Sequence, residues 1–553
     1  MNRLKVIKEY LEKSHLYFFI LTVLTLVCSI IFADKIYDPI LDIGREIWFP
    51  AEILNGKVLY RDIFNLFGPF SYLCNALIFK IFGTNLHTFY GIGCTLAVLA
   101  IAGIYKLAEL FVNKHTAFLI CLFSISCCVT TILSFSFVHA YTFAIVYGII
   151  AFIYSVYFYT KKKSFLAALT GGIALCCKYE FIFYAVFLLI CIILNSNKNI
   201  KKILASLFLM MLPCIICFGY LFKNGLTFAD IFNHIHLIKT LIVTPAYKML
   251  YTTVGTLFSI DNINKSLLYF ENILLAVMGI YFGTNLIKEH KYLGSALIIF
   301  AGHYMFRYAT DVNFDKHLCF LPIITLILFI AEYKNLDNKA RFLCFTAIIS
   351  SLKVFWYLNI IWNGIYHISV LLIAIFTLIK SDKIRNIAAI FLIILTINIF
   401  NLKNFSLYQA NHEIKSDLGQ IYTTSETAIK TKKLINFIKE NTKSDDTIII
   451  YPEGLILNFL TQRPSDDKYY ALTPAYLQMW GEDNIIKYFS NNKNKPEYFV
   501  ITNERMNMYG YNYICRNYAF EFCLFIENNY KKVVEYRVNQ FDKEPFIIYK
   551  KIN

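Results

Sequence analysis

Charge is what this chain has little of. Asp, Glu, Lys and Arg make up 16% of its 553 residues, against 58% hydrophobic residues and a mean hydropathy of +0.53. That shortage excludes an ordinary soluble protein. Strict apolar–polar alternation is also missing from the hydrophobic runs, which excludes a transmembrane barrel. No small-residue cleavage site follows the first apolar run, and Met1 to His15 ahead of it is basic and polar. The run is therefore expected to stay as a signal anchor. Cysteine is nearly absent from polar sequence: of 15, only Cys515 and Cys523 fall in the polar tail, where a disulfide and two buried thiols both fit. The others lie within or beside apolar runs and behave as small hydrophobes with no metal role. An excess of acids is lacking too. The formal charge is +16, but the lysines sit mostly in short loops between apolar runs, which points to membrane topology and not to nucleic acid.

What the chain does have is apolar length. Runs of about 17 to 22 residues recur from Leu16 to Phe400, close to what a helix needs to cross hydrocarbon at about 1.5 Å per residue. The expected fold class is a polytopic α-helical membrane protein of about thirteen transmembrane helices with a C-terminal soluble α/β domain. The spans run from Leu16–Ala33 through Leu86–Phe111, Thr116–Leu133 and Val138–Tyr159 to Ile387–Phe400, with a short pair, Phe165–Cys177 and Glu180–Leu194, on either side of Lys178. The basic loops around Lys161–Lys163, Lys198–Lys202, Lys334–Arg341 and Lys380–Arg385 fall on one side of the alternating path, which is then the cytoplasm of a multi-pass inner-membrane protein. The loop Lys223–Ser266, the loop Arg307–His317 and the whole C-terminal tail then face outward.

Acids gather in the first outer loop, residues 34–85, which carries Asp34, Asp38, Asp42, Glu46, Glu52 and Asp62. Ile47, Trp48, Ile53 and Leu54 share one helical face there while Arg45, Glu46 and Glu52 can face water, so an interfacial helix is expected. Phe70 to Phe82 reads as a second one, ended by Gly83-Thr84-Asn85. The organisation is thus a membrane module, residues 1–406, and an extracytoplasmic α/β domain, residues 407–553. In the latter, helices are expected over Glu426–Asn441, Asn484–Asn491 and Tyr518–Tyr530, and strands over Thr447–Tyr451, Glu497–Thr502, Lys532–Val538 and Pro545–Lys550.

The order Asp42, Glu52-Ile53, Gly56 and Gly68-Pro69-Phe70-Ser71-Tyr72, placed directly after the first span, resembles the first outer loop of GT-C glycosyltransferases, the protein O-mannosyltransferase and aminoarabinose transferase type. Gly171-Gly172 leading to Lys178, and Lys316-His317 before Leu321-Pro322, are similar to further elements of that family. The sequence departs from the pattern in three places: Ile43 follows Asp42 where Glu is usual, no lysine precedes Pro69, and His139 stands where some relatives have a second Asp. The resemblance implies inverting transfer of a sugar from a polyprenyl-phosphate donor to an acceptor, which could be protein, lipid or glycan, beside the lipid bilayer.

The residue chemistry is compatible with that. Sugar transfer needs a base for the acceptor proton and cations for the departing phosphate. Asp42 is the candidate base, and also stands where a helix N-cap would. Asp38 is the alternative, or the start of the Asp38-Pro39 turn. Arg45 and Glu46 could orient a substrate or simply be a solvated face, and Asp62 could bind a sugar or pair with Arg61. His139 is the candidate helper. Lys178, Arg307, Lys316 and His317, at outer ends of spans, could hold a carrier phosphate or reach for lipid headgroups. No cofactor is indicated; a divalent metal is compatible with the acids but not called for, and His234 and His236 at i, i+2 make a poor helical ligand pair. Two other functions fit parts of the pattern. A transporter or flippase for lipid-linked sugars would show paired repeats and deep charges, of which Lys353 is the main candidate. An O-antigen polymerase or ligase would place its key residues in a large central or late loop.

Overall fold

The computed structural model describes residues 15–133, 135–196, 199–253, 260–310, 318, 321–352, 365–466, 468–491, 493 and 495–552. Lys316 and His317, together with Lys353, lie outside the described residues. The described residues up to Gln409 are mainly helical, and a mixed α/β region follows from His412. Among the described residues, four helices are long and apolar enough to cross a membrane: Leu86–Ala108, Phe143–Thr160, Ile200–Lys223 and Asp382–Gln409. The other apolar helices, among them Leu16–Phe32, Lys114–Cys128 and Ser164–Cys177, have 10–17 residues, so four of the roughly thirteen expected spans meet both criteria among the described residues.

Two expectations for the membrane region are corrected. The run from Val138 does not start a helix until Phe143, because Ser136 Oγ accepts from the Val138 and His139 N–H groups and the Thr142 hydroxyl accepts from Ala144 N–H as an N-cap. Residues 135–142 thus form a polar-stitched loop. The segment Lys223–Ser266 is also not mere loop: Phe228–Val243 is a helix opened by a capping box in which Thr227 and Asp230 satisfy each other, and Pro245–Thr253 is a second.

The first loop forms helices at Ile43–Leu54 and Phe70–Phe82, but the former is covered on nearly all sides: Glu46, expected to face water, is fully buried, and Leu54, expected on the apolar face, is exposed. Gly83 stops the Phe70–Phe82 helix at φ +91°, a left-handed backbone that glycine adopts without a Cβ penalty.

In the C-terminal region, β1 (His412–Ser416) and β2 (Gly419–Thr423) form an antiparallel hairpin. β3 (Ile448–Tyr451), β4 (Tyr498–Ile501), β5 (Tyr530–Tyr536) and β6 (Phe546–Lys551) form a sheet in the order β3-β4-β6-β5, with β3 and β4 parallel and the other pairs antiparallel. β3 and β4 are buried along their whole length, which explains their unbroken apolar sequence. Helices Ser425–Asn441, Glu482–Ser490 and Phe520–Asn529 occupy the expected stretches, and Cys515 and Cys523 are joined in a disulfide.

This region is fastened to the first loop in two places. The hairpin clips on through Ile36 N–H to the Tyr422 carbonyl at 2.9 Å, Tyr422 N–H to the Asp34 carbonyl at 2.7 Å, and the Thr423 hydroxyl to the Tyr37 carbonyl at 2.8 Å. The second contact is the helix Leu455–Thr461 against Ile43–Leu54. Their backbones approach so closely that a Cβ on Gly44 would lie 2.4 Å from the Ile456 nitrogen. Aromatic pairs Phe49–Tyr470 and Phe64–Trp480, with ring centres 5.0 and 5.2 Å apart, fill the space between.

Candidate functional site

Asp42 occupies the residue before the Ile43–Leu54 helix, but its side chain does not cap it. Its backbone sits at φ 56°, ψ −56°, a region that non-glycine residues rarely enter and that the surroundings must impose. One such constraint comes from the C-terminal region, where Glu453 Oε2 accepts the Asp42 N–H at 3.2 Å. The carboxylate, freed from capping, points where Arg45 Nη2 reaches its Oδ1 at 3.4 Å. The Asp42 side chain keeps 38% of its exposure, so it meets water on one side while protein surrounds the rest. Burial raises its pKa above the ordinary carboxylate range, with the Arg45 charge and hydrogen bond opposing.

Arg45 is held from two sides. Its Nη2 donates to the Tyr141 carbonyl and its Nε to Glu46 Oε1 at 3.3 Å. Glu46 itself is fully buried, and both of its oxygens are occupied: the Tyr72 hydroxyl donates to Oε1 at 2.7 Å and the Phe143 N–H to Oε2 at 2.7 Å. The carboxylate thereby ties the first loop to the Phe70–Phe82 helix and to the start of Phe143–Thr160. Glu46, expected either to orient a substrate or to be part of a solvated face, is thus buried and holds Arg45.

Lys178 stands in extended backbone between the helices Ser164–Cys177 and Ile182–Leu194 and is only 2% exposed. Its Nζ donates to the Tyr141 hydroxyl at 2.7 Å and pairs with Glu180 at 3.4 Å. Arg45 and Lys178 therefore share Tyr141, one through the carbonyl and the other through the hydroxyl. Each also lies 5.6 Å from the centre of the Phe67 ring. Each cation has its own carboxylate, Arg45 through Asp42 and Glu46 and Lys178 through Glu180. Gly68, next to Phe67, sets the spacing to that ring. Its N–H donates to the Cys177 carbonyl at 2.9 Å, and a Cβ there would lie 2.0 Å from the Cys176 carbonyl oxygen. Gly68→Ala should therefore destabilise the fold by about 3 kcal/mol, which thermal unfolding in detergent would register.

The C-terminal region adds acids that sequence reasoning missed. Glu453 follows the end of β3 and Glu504 the end of β4, so both leave the carboxyl ends of the two adjacent parallel strands, a usual place for binding groups. Burial, then the neighbouring Asp42 charge, push the Glu453 carboxyl up to about 7, with Arg45 opposing. Burial, then Asp38, raise Glu504 as well, against Lys430. A signal existed in Tyr451-Pro452-Glu453-Gly454, a carboxylate directly after a fully apolar strand. Its partner Asp42, however, is 411 residues away.

The remaining candidates are scattered. Asp38 accepts the Ile40 N–H at 3.0 Å as a turn residue, and burial raises its pKa, with the Ile40 and Leu41 N–H groups opposing and Asp42 adding. Asp62 is engaged by Arg61 through both oxygens, at 3.0 and 2.7 Å, and by the Val58 N–H, so it closes the loop turn. His139 is buried with Nε2 2.7 Å from the Phe32 carbonyl, which seats it under the first span and not at Asp42 Oδ1. Arg307 is exposed in the last turn of Lys291–Ala309 and is not a partner of Asp42, Arg45 or Lys178. His234 is packed between the Tyr60 and Phe64 rings.

No protein-family model matches the chain, and no curated protein matches it. Among solved structures it is similar to ArnT from Cupriavidus metallidurans in the apo state, at 10% identity over 96% of this chain and 97% of that one, with a TM-score of 0.42. The same protein bound to undecaprenyl phosphate aligns over 98% of each chain, also at 10% identity and TM-score 0.42. The archaeal oligosaccharyltransferase AglB from Archaeoglobus fulgidus, in complex with an inhibitory peptide and a dolichol-phosphate, aligns at 10% identity over 97% of this chain and 74% of that one, with a TM-score of 0.46. Likeness this distant assigns neither reaction nor ligand to this chain.

Proposed function

We propose that this protein is a GT-C-type membrane glycosyltransferase, moving a sugar from a polyprenyl-phosphate donor to an acceptor at the outer face of the cytoplasmic membrane. The observation that carries the reading is the convergence of Arg45 and Lys178 on Tyr141 and Phe67 beside Asp42, a carboxylate turned away from its own helix. Asp42 takes the proton from the acceptor hydroxyl or amine as that atom bonds to the anomeric carbon. The bond from the anomeric carbon to the phosphate oxygen breaks, its electron pair leaves on the lipid phosphate, and Arg45 and Lys178 stabilise the charge. Attack opposite the leaving phosphate inverts the anomeric centre. The domain formed by residues 407–553 holds Asp42 in place through Glu453, and the Cys515–Cys523 disulfide supports an oxidising compartment for it.

The test is to incubate the purified full-length protein with a panel of polyprenyl-phosphate sugars and an acceptor extract, following free polyprenyl phosphate. Release of lipid phosphate from one donor supports the reading. If no donor is consumed and intact lipid-linked sugar instead crosses sealed vesicles containing the protein, the chain is a transporter.

Glu453 supplies a pH signature. It faces Asp38, Asp42 and Arg45 of the first loop and Tyr470, Glu504, Tyr509 and Tyr518 of its own domain. Its pKa is near 7 when folded and about 4.3 in an unfolded chain, so the folded state binds the extra proton. The associated stability is full below the unfolded value and is lost as pH rises through about 7. Melting temperature should accordingly fall between about pH 5 and pH 8 in the wild type and fall less in Glu453→Gln, which keeps an acceptor for the Asp42 N–H.

A further inference from the structure

A charged cavity lies far from Asp42. The Phe143–Thr160 helix has its first N–H bound by Glu46 and its last residues, Tyr159 and Thr160, in the wall of a cavity of about 750 Å³. Its 18 residues span about 27 Å, close to the thickness of a bilayer's hydrocarbon core. The cavity therefore sits one membrane thickness from the Asp42 cluster. It gathers Lys162, Lys202, Lys339 and Arg341 from three of the basic loops that the charge pattern places on the cytoplasmic side, and no carboxylate lines it.

Among the described residues, Lys162, Lys202 and Lys339 have no acidic partner, while Arg341 lies over the Tyr333 ring at 4.7 Å and donates to the Tyr333 carbonyl. Four cations around one space repel one another unless an anion enters it. The rest of the wall tells what carries that anion. Phe187, Leu194 and Phe345 line the same cavity, and Leu194 and Phe345 remain 75% and 39% exposed. A free anion gains nothing from such apolar surface, whereas acyl chains do.

We propose that this cavity binds an anionic phospholipid of the leaflet opposite the Asp42 site, its phosphate among Lys162, Lys202, Lys339 and Arg341 and its chains against Phe187, Leu194 and Phe345. The site does not depend on the reaction proposed above. An anionic lipid held there would brace the junction of the Phe143–Thr160, Ile182–Leu194, Ile200–Lys223 and Asn338–Ser350 helices, whose ends form the cavity.

Binding of fluorescent phosphatidylglycerol and phosphatidylcholine to the detergent-purified full-length protein tests it. Phosphatidylglycerol should bind at least about tenfold more tightly than phosphatidylcholine, and Lys202→Gln/Lys339→Gln should erase most of that preference, at about fivefold per cation. Lys202→Arg/Lys339→Arg should keep it. Should the double glutamine variant lose thermal stability, Lys339→Gln alone, an exposed position, should still lower phosphatidylglycerol affinity about fivefold. Equal affinity for both lipids, unchanged affinity in the glutamine variants, or displacement of the lipid by equimolar inorganic phosphate would overturn the proposal.

Discussion

Asp42→Asn should release polyprenyl phosphate from its donor about 10²- to 10⁴-fold more slowly than the wild type while folding and binding donor much as before. Asparagine keeps the size of the side chain and an oxygen for Arg45, so the packing around the helix start survives. What it lacks is basicity. Because burial raises the Asp42 carboxyl above the ordinary range of about 4, the wild-type rate should rise with pH through that raised value as the ionised base becomes populated. The residual rate of Asp42→Asn, supported by Arg45 and Lys178 alone, should lack this limb. A pH–rate profile of both proteins separates the two effects, and a normal rate in Asp42→Asn would remove it as the base.

Glu46→Ala should be the most damaging change to the fold near the site, at about 3–5 kcal/mol. The substitution leaves three groups without their acceptor: the Arg45 guanidinium, the Tyr72 hydroxyl and the Phe143 N–H, around a carboxylate that has no exposure at all. Glu46→Gln should cost less, since its amide oxygen can still serve one of the three, but the Arg45 charge loses a counterion in either case. Activity should fall with stability, because Arg45 is positioned by Glu46 on one side and by the Tyr141 carbonyl on the other. Chemical denaturation of the two variants, compared at equal detergent, reads the difference.

Much of the fold is written in local periodicity. The helices Ile43–Leu54 and Phe70–Phe82, the stop at Gly83 and all four strands of the C-terminal sheet fall where side-chain alternation and apolar faces put them. Local patterns fail where a polar stitch interrupts an apolar run. Residues 138–142 look like the start of a span, yet Ser136 and Thr142 hold them as loop, and Tyr141, which joins Arg45 to Lys178, is part of it. Charge alone does not separate Glu46 from Asp42 either; only burial does, one carboxylate being inside the protein and the other open to water on one side. Glu453 was beyond reach for a different reason. Its role depends on a contact between the two ends of the chain, set by the packing of Leu455–Thr461 on Gly44, and no periodicity carries information over that distance.

The most direct measurement uses sealed vesicles whose protein orientation is known from protease access to residues 407–553. Donor added only on the side of that domain should be converted to free polyprenyl phosphate by the wild type and scarcely at all by Asp42→Asn. Conversion only of donor sealed on the opposite side, or equal conversion by both proteins, would contradict a transfer centre built on Asp42.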